Sequence, residues 1–144
     1  MNIYFCGSIR GGRGLAKTYA EMIGMLEVYG KVLTEHLGSD EEIESKDRIL
    51  SDKEIHDRDF QWIEESDLLV AEVTIPSLGV GYEIGRAIAL GKPVLCLFRT
   101  GSEFTVSAMI AGSDDVEMKY YQNLEEVKDL FDAFFNANAP HRTS

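Results

Sequence analysis

An α/β fold, with five parallel strands in a doubly wound sheet and helices on both faces, is predicted by the order of apolar segments along the sequence. Short runs of β-branched and aliphatic residues without polar alternation are typical of parallel strands that are covered on both sides. Longer segments with helical spacing separate these runs, and this βαβ alternation indicates right-handed crossovers. A chain of 144 residues is long enough to bury a core of its own.

Each element can be placed from its local pattern. The strands are the apolar runs "NIYFCG" (2–7), "KVLTE" (31–35), "DLLVAEV" (67–73), "PVLCLF" (93–98) and, more weakly, "VEMKYY" (116–121). The helices are the amphipathic segments at about 14–28, 51–66, 79–90, 105–112 and 123–137. We predict one domain over residues 1–138 and a disordered tail at 139–144.

The acidic composition of the chain limits which molecules it can bind. Acidic residues outnumber basic ones by 25 to 14, and the net charge of −11 repels nucleic-acid polymers and anionic membranes. A small phosphate ester remains a candidate ligand, because a few local donors can outweigh the average field. The N-terminus has no signal-peptide pattern, and Cys6 and Cys96 lie within apolar runs, as buried thiols do in a reducing compartment. We therefore expect a cytoplasmic protein.

Ligands of doubly wound sheets bind beyond the carboxyl ends of the strands, so the segments that follow the strands are candidate binding loops. The first of them, "GSIRGGRG" (7–14), lacks the glycine order of a dinucleotide site and the lysine of a P-loop. His56 and His141 do not stand at metal-ligand spacings, so we expect neither a metal nor a cofactor. The acidic run at 39–47 is either a solvated loop or a lid over the site.

Glu83 stands beside an apolar helical stripe, in the first turns of the helix that follows the third strand. Val80, Ile84, Ala87 and Ile88 define this stripe, which is typical of a helix packed on a sheet. The preceding "SLGVG" can offer backbone amides and the Ser77 hydroxyl to an anion, although glycines also serve tight turns.

Asp59 is a second carboxylate on an apolar stripe, with Ile55, Trp62 and Ile63 as its neighbours at helical spacing. Each acid alone is explained by capping or ion pairing. Two acids that converge on one crevice also suit the cleavage of a glycosidic bond, in which one acid stabilises or traps an oxocarbenium-like centre and the other handles the proton of the leaving group.

Several segments together resemble the 2′-deoxynucleoside 5′-phosphate N-hydrolase family, a branch of the nucleoside 2-deoxyribosyltransferase superfamily. They are "YFCGSIRGGR" (4–13), "VLTEH" (32–36), "VAEVTIPSLGVGYEIGRA" (70–87), "LCLFR" (95–99) and "SAMIAG" (107–112). The resemblance implies a flavodoxin-like Rossmann fold, a homodimer and metal-free hydrolysis of the N-glycosidic bond of a 2′-deoxynucleoside 5′-monophosphate. The products would be a free base and 2-deoxyribose 5-phosphate.

The resemblance also implies roles for individual residues. Glu83 matches the nucleophile that forms a glycosyl-enzyme intermediate, Tyr4 the tyrosine that orients it, and Asp59 the aspartate that holds the sugar and assists departure of the base. The matched substrate-binding residues are Ser77 and Gly79 at the phosphate, Ser107 reaching the phosphate from the neighbouring subunit, and Gly7, Ser8, Ile9, Arg10 and His36 around the base side of the nucleotide.

Three alternatives stay open at the level of sequence. A deoxyribosyltransferase would pass the sugar to another base through the same nucleophile, and a ribonucleotide glycosidase of the CMP type would differ only in the sugar. A nucleotide-binding sensor would keep the pocket without turnover. His36 also fits a packed polar role, and "SAMI" (107–110) also fits a short packed helix.

Overall fold

A computed structural model describes residues 1–9, 15–34 and 49–139. Its strands form one parallel sheet in the order β2-β1-β3-β4-β5. Their bounds are β1 Asn2–Gly7, β2 Lys31–Val32, β3 Leu68–Glu72, β4 Val94–Arg99 and β5 Val116–Tyr121. The predicted five-stranded parallel sheet is confirmed.

Five helices lie in the described part of the chain, each within a predicted helical segment or extending one residue beyond it. They are α1 Ala16–Leu26, α2 Asp52–Glu65, α3 Leu78–Ala89, α4 Ala108–Ala111 and α5 Leu124–Ala137. Side-chain caps fix several starts: Ser51 and Glu54 form a capping box before α2, and Asn123 caps α5. The fourth helix is shorter than predicted, because Ser107 caps it on one side and Gly112 ends it on the other.

Alternate residues of each strand enter two hydrophobic cores, one on each face of the sheet. Ile3 and Phe5 of β1 join the core under α1 and α5, whereas Tyr4 and Cys6 join the core under α2 and α3. The same alternation continues along β3 and β4, which are buried throughout except at Arg99. Helices therefore cover both faces, as predicted, and Tyr4 faces α3.

The second strand is shorter than the predicted 31–35. Its ladder with β1 joins only Asn2 to Lys31 and Ile3 to Val32. Beyond these pairs the side chain of Thr34 takes the place of the backbone, because its Oγ1 accepts from the Phe5 amide at 3.0 Å and donates to the Phe5 carbonyl. The last predicted residue, Glu35, lies outside the described residues.

The strand order places the topological switch point of the sheet between β1 and β3. The chain passes from β1 outward to β2 and then returns to the other side of β1 as β3. Connections on the two sides of this point leave toward opposite faces, which opens a crevice at the carboxyl ends of β1 and β3. The segments 7–9 and 73–77 border this crevice. The predicted tail starts at the last described residue, and residues 140–144 lie beyond it.

Within the described ranges, no helix combines the length and the apolar character that crossing a membrane requires.

Candidate active site

Tyr4 and Glu83 meet at the crevice although 79 positions separate them in sequence. Tyr4 lies on β1 with its side chain almost fully buried, and its hydroxyl donates a hydrogen bond to Glu83 Oε2. Glu83 stands on α3, whose buried residues Val80, Ile84 and Ala87 hold that helix against the sheet. The predicted stripe is confirmed, and it leaves the Glu83 carboxylate partly buried at the edge of the site.

The environment of Glu83 tunes its charge toward neutrality. Burial raises the pKa of Glu83 to about 7, the hydrogen bond from Tyr4 opposes this rise, and the negative charge of Asp59 adds to it. Burial also raises the pKa of the Tyr4 hydroxyl, and the charge of Glu83 raises it further, so Tyr4 keeps its proton. Near neutral pH, Glu83 is therefore poised between a carboxylic acid and a carboxylate that Tyr4 holds in place.

Asp59 reaches the same place from α2, but it is less buried than the predicted stripe implies. Its side chain is 28% exposed, and Arg58 Nε donates to Asp59 Oδ1 at 3.0 Å. Of the predicted stripe only Ile63 is fully buried, because α2 packs on the sheet mainly through its last turn. Asp59 is thus an ion-paired, partly hydrated carboxylate whose field reaches Glu83.

A cavity of about 140 Å³ lies between α2 and α3 and has both carboxylates in its wall. Aromatic side chains complete the wall, namely His56, Phe60 and Tyr82. Sequence reasoning assigned none of these three a role, although Tyr82 stands next to Glu83 in the segment 70–87 and His56 lies one helical turn before Asp59. A group bound in this cavity would contact both carboxylates.

A polar and aromatic cluster ties the two helices together beside this cavity. Tyr82 Oη lies 2.8 Å from His56 Nε2 and accepts from Arg86 Nη1 at 2.7 Å. The Arg86 guanidinium stacks on the Phe60 ring at 4.0 Å from its centroid. These contacts join α2 to α3 next to the residues that carry the two carboxylates.

The start of α3 provides the features of an anion site. Ser77 caps the helix, with its Oγ accepting from the Val80 amide at 3.3 Å. The first amides of a helix lack intrahelical acceptors and lie at the positive end of its dipole. A β-carbon at Gly79 would lie 3.8 Å from Ser77 Oγ and 3.9 Å from Glu83 Oε1, so a larger residue there would occupy the space between them.

The end of β1 forms another border of the crevice. A β-carbon at Gly7 would lie only 2.7 Å from Tyr19 Cζ, so the ring of Tyr19 can pack against the end of β1 only because residue 7 is glycine. Ser8 is buried, and Ile9 is half exposed. Arg10, His36 and the acidic run at 39–47 lie outside the described residues, so their predicted roles stay predictions.

Ser107 lines a groove beside the start of α3 and not the cavity that holds the two carboxylates. Ser77 and Ser107 both line this groove of about 620 Å³, with Leu78, Val80 and Met109 among its other lining residues. Ser107 is exposed, and its Oγ accepts from the Met109 amide at 3.2 Å. The groove is thus separate from the cavity between α2 and α3, although both adjoin the start of the third helix.

No group of three or more metal-ligating side chains is found among the residues that the structure describes. Cys6 and Cys96 are both buried and free. Burial raises the pKa of each thiol, which keeps both neutral.

The strand order is that of the flavodoxin-like doubly wound proteins. Within that fold, one carboxylate from α2 and one from α3 line the same cavity. The chain belongs to the nucleoside 2-deoxyribosyltransferase family, whose model matches residues 3–131. The family resemblance predicted from the sequence is thereby confirmed.

Named relatives are close in sequence. The 5-hydroxymethyl-dUMP N-hydrolase of Rattus norvegicus is 48% identical over 147 residues, which cover 99% of this chain and 90% of the relative. The human protein of the same name is 45% identical, covering 96% of this chain and 81% of the relative. A putative 2′-deoxynucleoside 5′-phosphate N-hydrolase 1 of Trichoplax adhaerens is 57% identical over 112 residues, covering 78% of this chain and 76% of the relative.

A solved structure agrees with the fold. The Clostridium botulinum CMP N-glycosidase superposes with a TM-score of 0.66 and covers 93% of this chain and 99% of its own. At 20% identity this likeness concerns the fold alone.

Proposed function

We propose that this protein hydrolyses the N-glycosidic bond of 2′-deoxynucleoside 5′-monophosphates, giving a free base and 2-deoxyribose 5-phosphate. The observation that carries the proposal is the Tyr4–Glu83 hydrogen bond: it orients a partly buried carboxylate beside the start of α3. Relatives that share about half of its residues are named 5-hydroxymethyl-dUMP N-hydrolase. We therefore propose 5-hydroxymethyl-dUMP as the first substrate to test.

The start of α3 is the proposed phosphate site. Ser77 Oγ, the first amides of the helix and the positive end of its dipole all favour a bound dianion there. Gly79 keeps the path from this site to Glu83 Oε1 open. A phosphate held at Ser77 and Gly79 would thus place the attached sugar against the carboxylate, and its binding energy would orient C1′ without the phosphate itself reacting.

The first chemical step is attack by ionised Glu83 on C1′. A bond forms between Glu83 oxygen and C1′ while the bond between C1′ and the base nitrogen breaks. The departing base takes up a proton from solvent, which reaches it through a water held by the Asp59 carboxylate. Tyr4 keeps the attacking carboxylate in position, because its proton stays on the hydroxyl.

The second step returns the enzyme to its starting state. A water molecule attacks C1′ while the ester bond to Glu83 breaks, and the proton that the water loses passes through the Asp59 carboxylate to solvent. The sum of the two steps is one nucleotide plus one water giving one base plus 2-deoxyribose 5-phosphate.

Release of free base from a panel of 5′-monophosphates tests this proposal. The panel includes 5-hydroxymethyl-dUMP, dGMP and CMP, and the Glu83→Gln variant is assayed beside the wild type. We expect Glu83→Gln to lose at least about 10³-fold in rate. Glu64→Gln, which changes an exposed acid on α2, is the matched control and should leave the rate unchanged. Equal rates in Glu83→Gln and wild type would refute the nucleophile, and no release from any nucleotide would favour a sensor.

Transfer of the sugar to a second base is the other candidate, because the matching family model carries the transferase description. The same Glu83 ester would then react with a free base in place of water. Incubation of dGMP with excess adenine separates the two activities. Appearance of dAMP would favour the transferase, whereas release of guanine alone would favour the hydrolase.

We further propose that the protein acts as a homodimer in which Ser107 of one subunit reaches the phosphate of the other. Leu78 is 96% exposed and Met109 83% exposed on the groove that Ser77 and Ser107 line. Apolar side chains exposed in this way mark association surfaces, and a second copy with two-fold symmetry would cover both.

Subunit mixing tests the shared site. A mixed dimer of Ser107→Ala and Glu83→Gln chains should recover one competent site if each site takes its serine from the partner. If each chain uses its own Ser107, mixing should recover no activity. Light scattering of Leu78→Glu gives the independent readout, since a charge on this surface should produce monomers.

We also propose a cytoplasmic location, which the two free, buried cysteines favour because reduced thiols are the rule in that compartment.

A further inference from the structure

A second buried acid, Glu72, ends the central strand β3 and plays no part in the chemistry proposed above. Its side chain is fully buried and faces the core under α1 and α5, on the opposite side of the sheet from Glu83. Burial of a carboxylate in this way is expensive unless hydrogen bonds or a task offset it. The contacts of Glu72 therefore indicate what it does.

Three donors converge on the Glu72 carboxylate. The Thr74 amide donates to Oε1 at 2.7 Å, the Thr74 hydroxyl donates to Oε2 at 3.1 Å, and the Tyr121 hydroxyl also donates to Oε2. The Thr74 hydroxyl in turn accepts from the Arg99 amide at 2.8 Å. The network thus joins the carboxyl ends of β3, β4 and β5 through one acceptor-only group.

The network determines how the chain leaves the sheet. Val73 makes the last ladder bond of this strand, from its amide to the Leu97 carbonyl at 2.8 Å. One residue later the Thr74 amide turns back to Glu72 instead of to a neighbouring strand. The chain is thereby directed toward Ser77, the cap of α3, only three residues further on.

We propose that Glu72 is a positioning residue for the phosphate end of the active site. By holding Thr74 it fixes the segment 73–77, and through that segment it fixes Ser77 and the first amides of α3. The inference rests on the proposed function in its last step only, because the fixing of the segment is a property of the fold.

The choice of residue type supports this role. Burial raises the pKa of Glu72, while the hydrogen bonds from Tyr121 and Thr74 lower it. Glutamine has the same shape but would present an amide donor to a site where every partner is also a donor. Glu72→Gln therefore removes acceptor capacity without leaving a cavity.

The test compares Glu72→Gln with the wild type by two readouts. Amide hydrogen exchange of the peptide covering 73–83 should rise about tenfold or more, the equivalent of one lost charged hydrogen bond, while exchange in α5 stays unchanged. The KM for 5-hydroxymethyl-dUMP should rise about tenfold with kcat altered less than threefold, because the phosphate contact suffers more than the chemistry. Tyr121→Phe keeps both Thr74 contacts, so it should raise the exchange of the 73–83 peptide and the KM by smaller factors. It replaces Glu72→Gln as the test variant if Glu72→Gln does not fold.

Each outcome decides a separate point. Unchanged exchange in the 73–83 peptide, or an equal rise in α5, would overturn the positioning role whatever the activity. Locally raised exchange together with an unaltered KM would overturn the link to the phosphate. A wild type that releases no base, with locally raised exchange in Glu72→Gln, would uphold the fixing of the segment and refute the proposed function.

Discussion

Replacing Tyr4 with phenylalanine removes one hydroxyl from the site and should move the pH dependence of base release. The Tyr4 hydroxyl donates to Glu83 and opposes the effect of burial, which by itself raises the pKa of Glu83. Tyr4 is almost fully buried, so phenylalanine fills the same space with little rearrangement. The substitution therefore tests the hydrogen bond with little change in packing.

The size of the shift follows from the strength of that bond. A hydrogen bond to a charged group contributes about 1.5–3 kcal/mol, and one pKa unit corresponds to about 1.4 kcal/mol. The pKa of Glu83, about 7 in the wild type, should thus rise by roughly one to two units. Because only the ionised carboxylate attacks, activity increases as pH rises through this pKa. At pH 7 the ionised fraction should fall from about one half to between about one tenth and one hundredth.

The assay is kcat/KM for base release from 5-hydroxymethyl-dUMP between about pH 5 and pH 10, since this parameter reports the free enzyme. Tyr29→Phe is the matched control: Tyr29 also donates to a carboxylate, that of Asp132, on the opposite face of the sheet. An acidic limb that stays in place or moves to lower pH in Tyr4→Phe would refute the reasoning, as would an equal shift in Tyr29→Phe.

Four further outcomes are expected. Neutral Glu83 contributes stability that is complete below about pH 4.5 and is lost as pH rises through about 7. In urea titrations the free energy of unfolding of the wild type should therefore fall by roughly 3 kcal/mol relative to that of Glu83→Gln across that window. A constant difference between the two proteins would contradict the raised pKa. Asp59→Asn should lower the single-turnover rate constant of base release by roughly 10²–10⁴-fold, and an unaltered rate constant would exclude Asp59 as the proton relay. Gly7→Ala should destabilise the fold by about 1–3 kcal/mol through its contact with Tyr19. Gly24→Ala in α1, where a β-carbon meets nothing within 4 Å, should instead stabilise it by about 0.5–1 kcal/mol in the same urea titration.

Local patterns predicted most of the fold and part of the site. The apolar runs predicted the strands because a strand covered on both faces needs apolar side chains in succession, and β1 and β5 have the predicted bounds. The stripe of Val80, Ile84 and Ala87 placed Glu83 correctly beside the sheet. The pattern was less reliable for Asp59, because a stripe indicates the inner face of a helix but not how closely each turn approaches the sheet.

The amino-acid sequence by itself determined the α/β alternation, the parallel sheet and the family, because periodicity and contiguous motifs are local properties. The tertiary structure decided which distant groups meet: Tyr4 with Glu83, His56 with Tyr82, and Glu72 with Tyr121, the last pair 49 positions apart. Glu72 in particular stands in an apolar strand with no local sign of its partners. Strand order and register, which depend on the packing of the whole chain, bring those donors to its carboxylate.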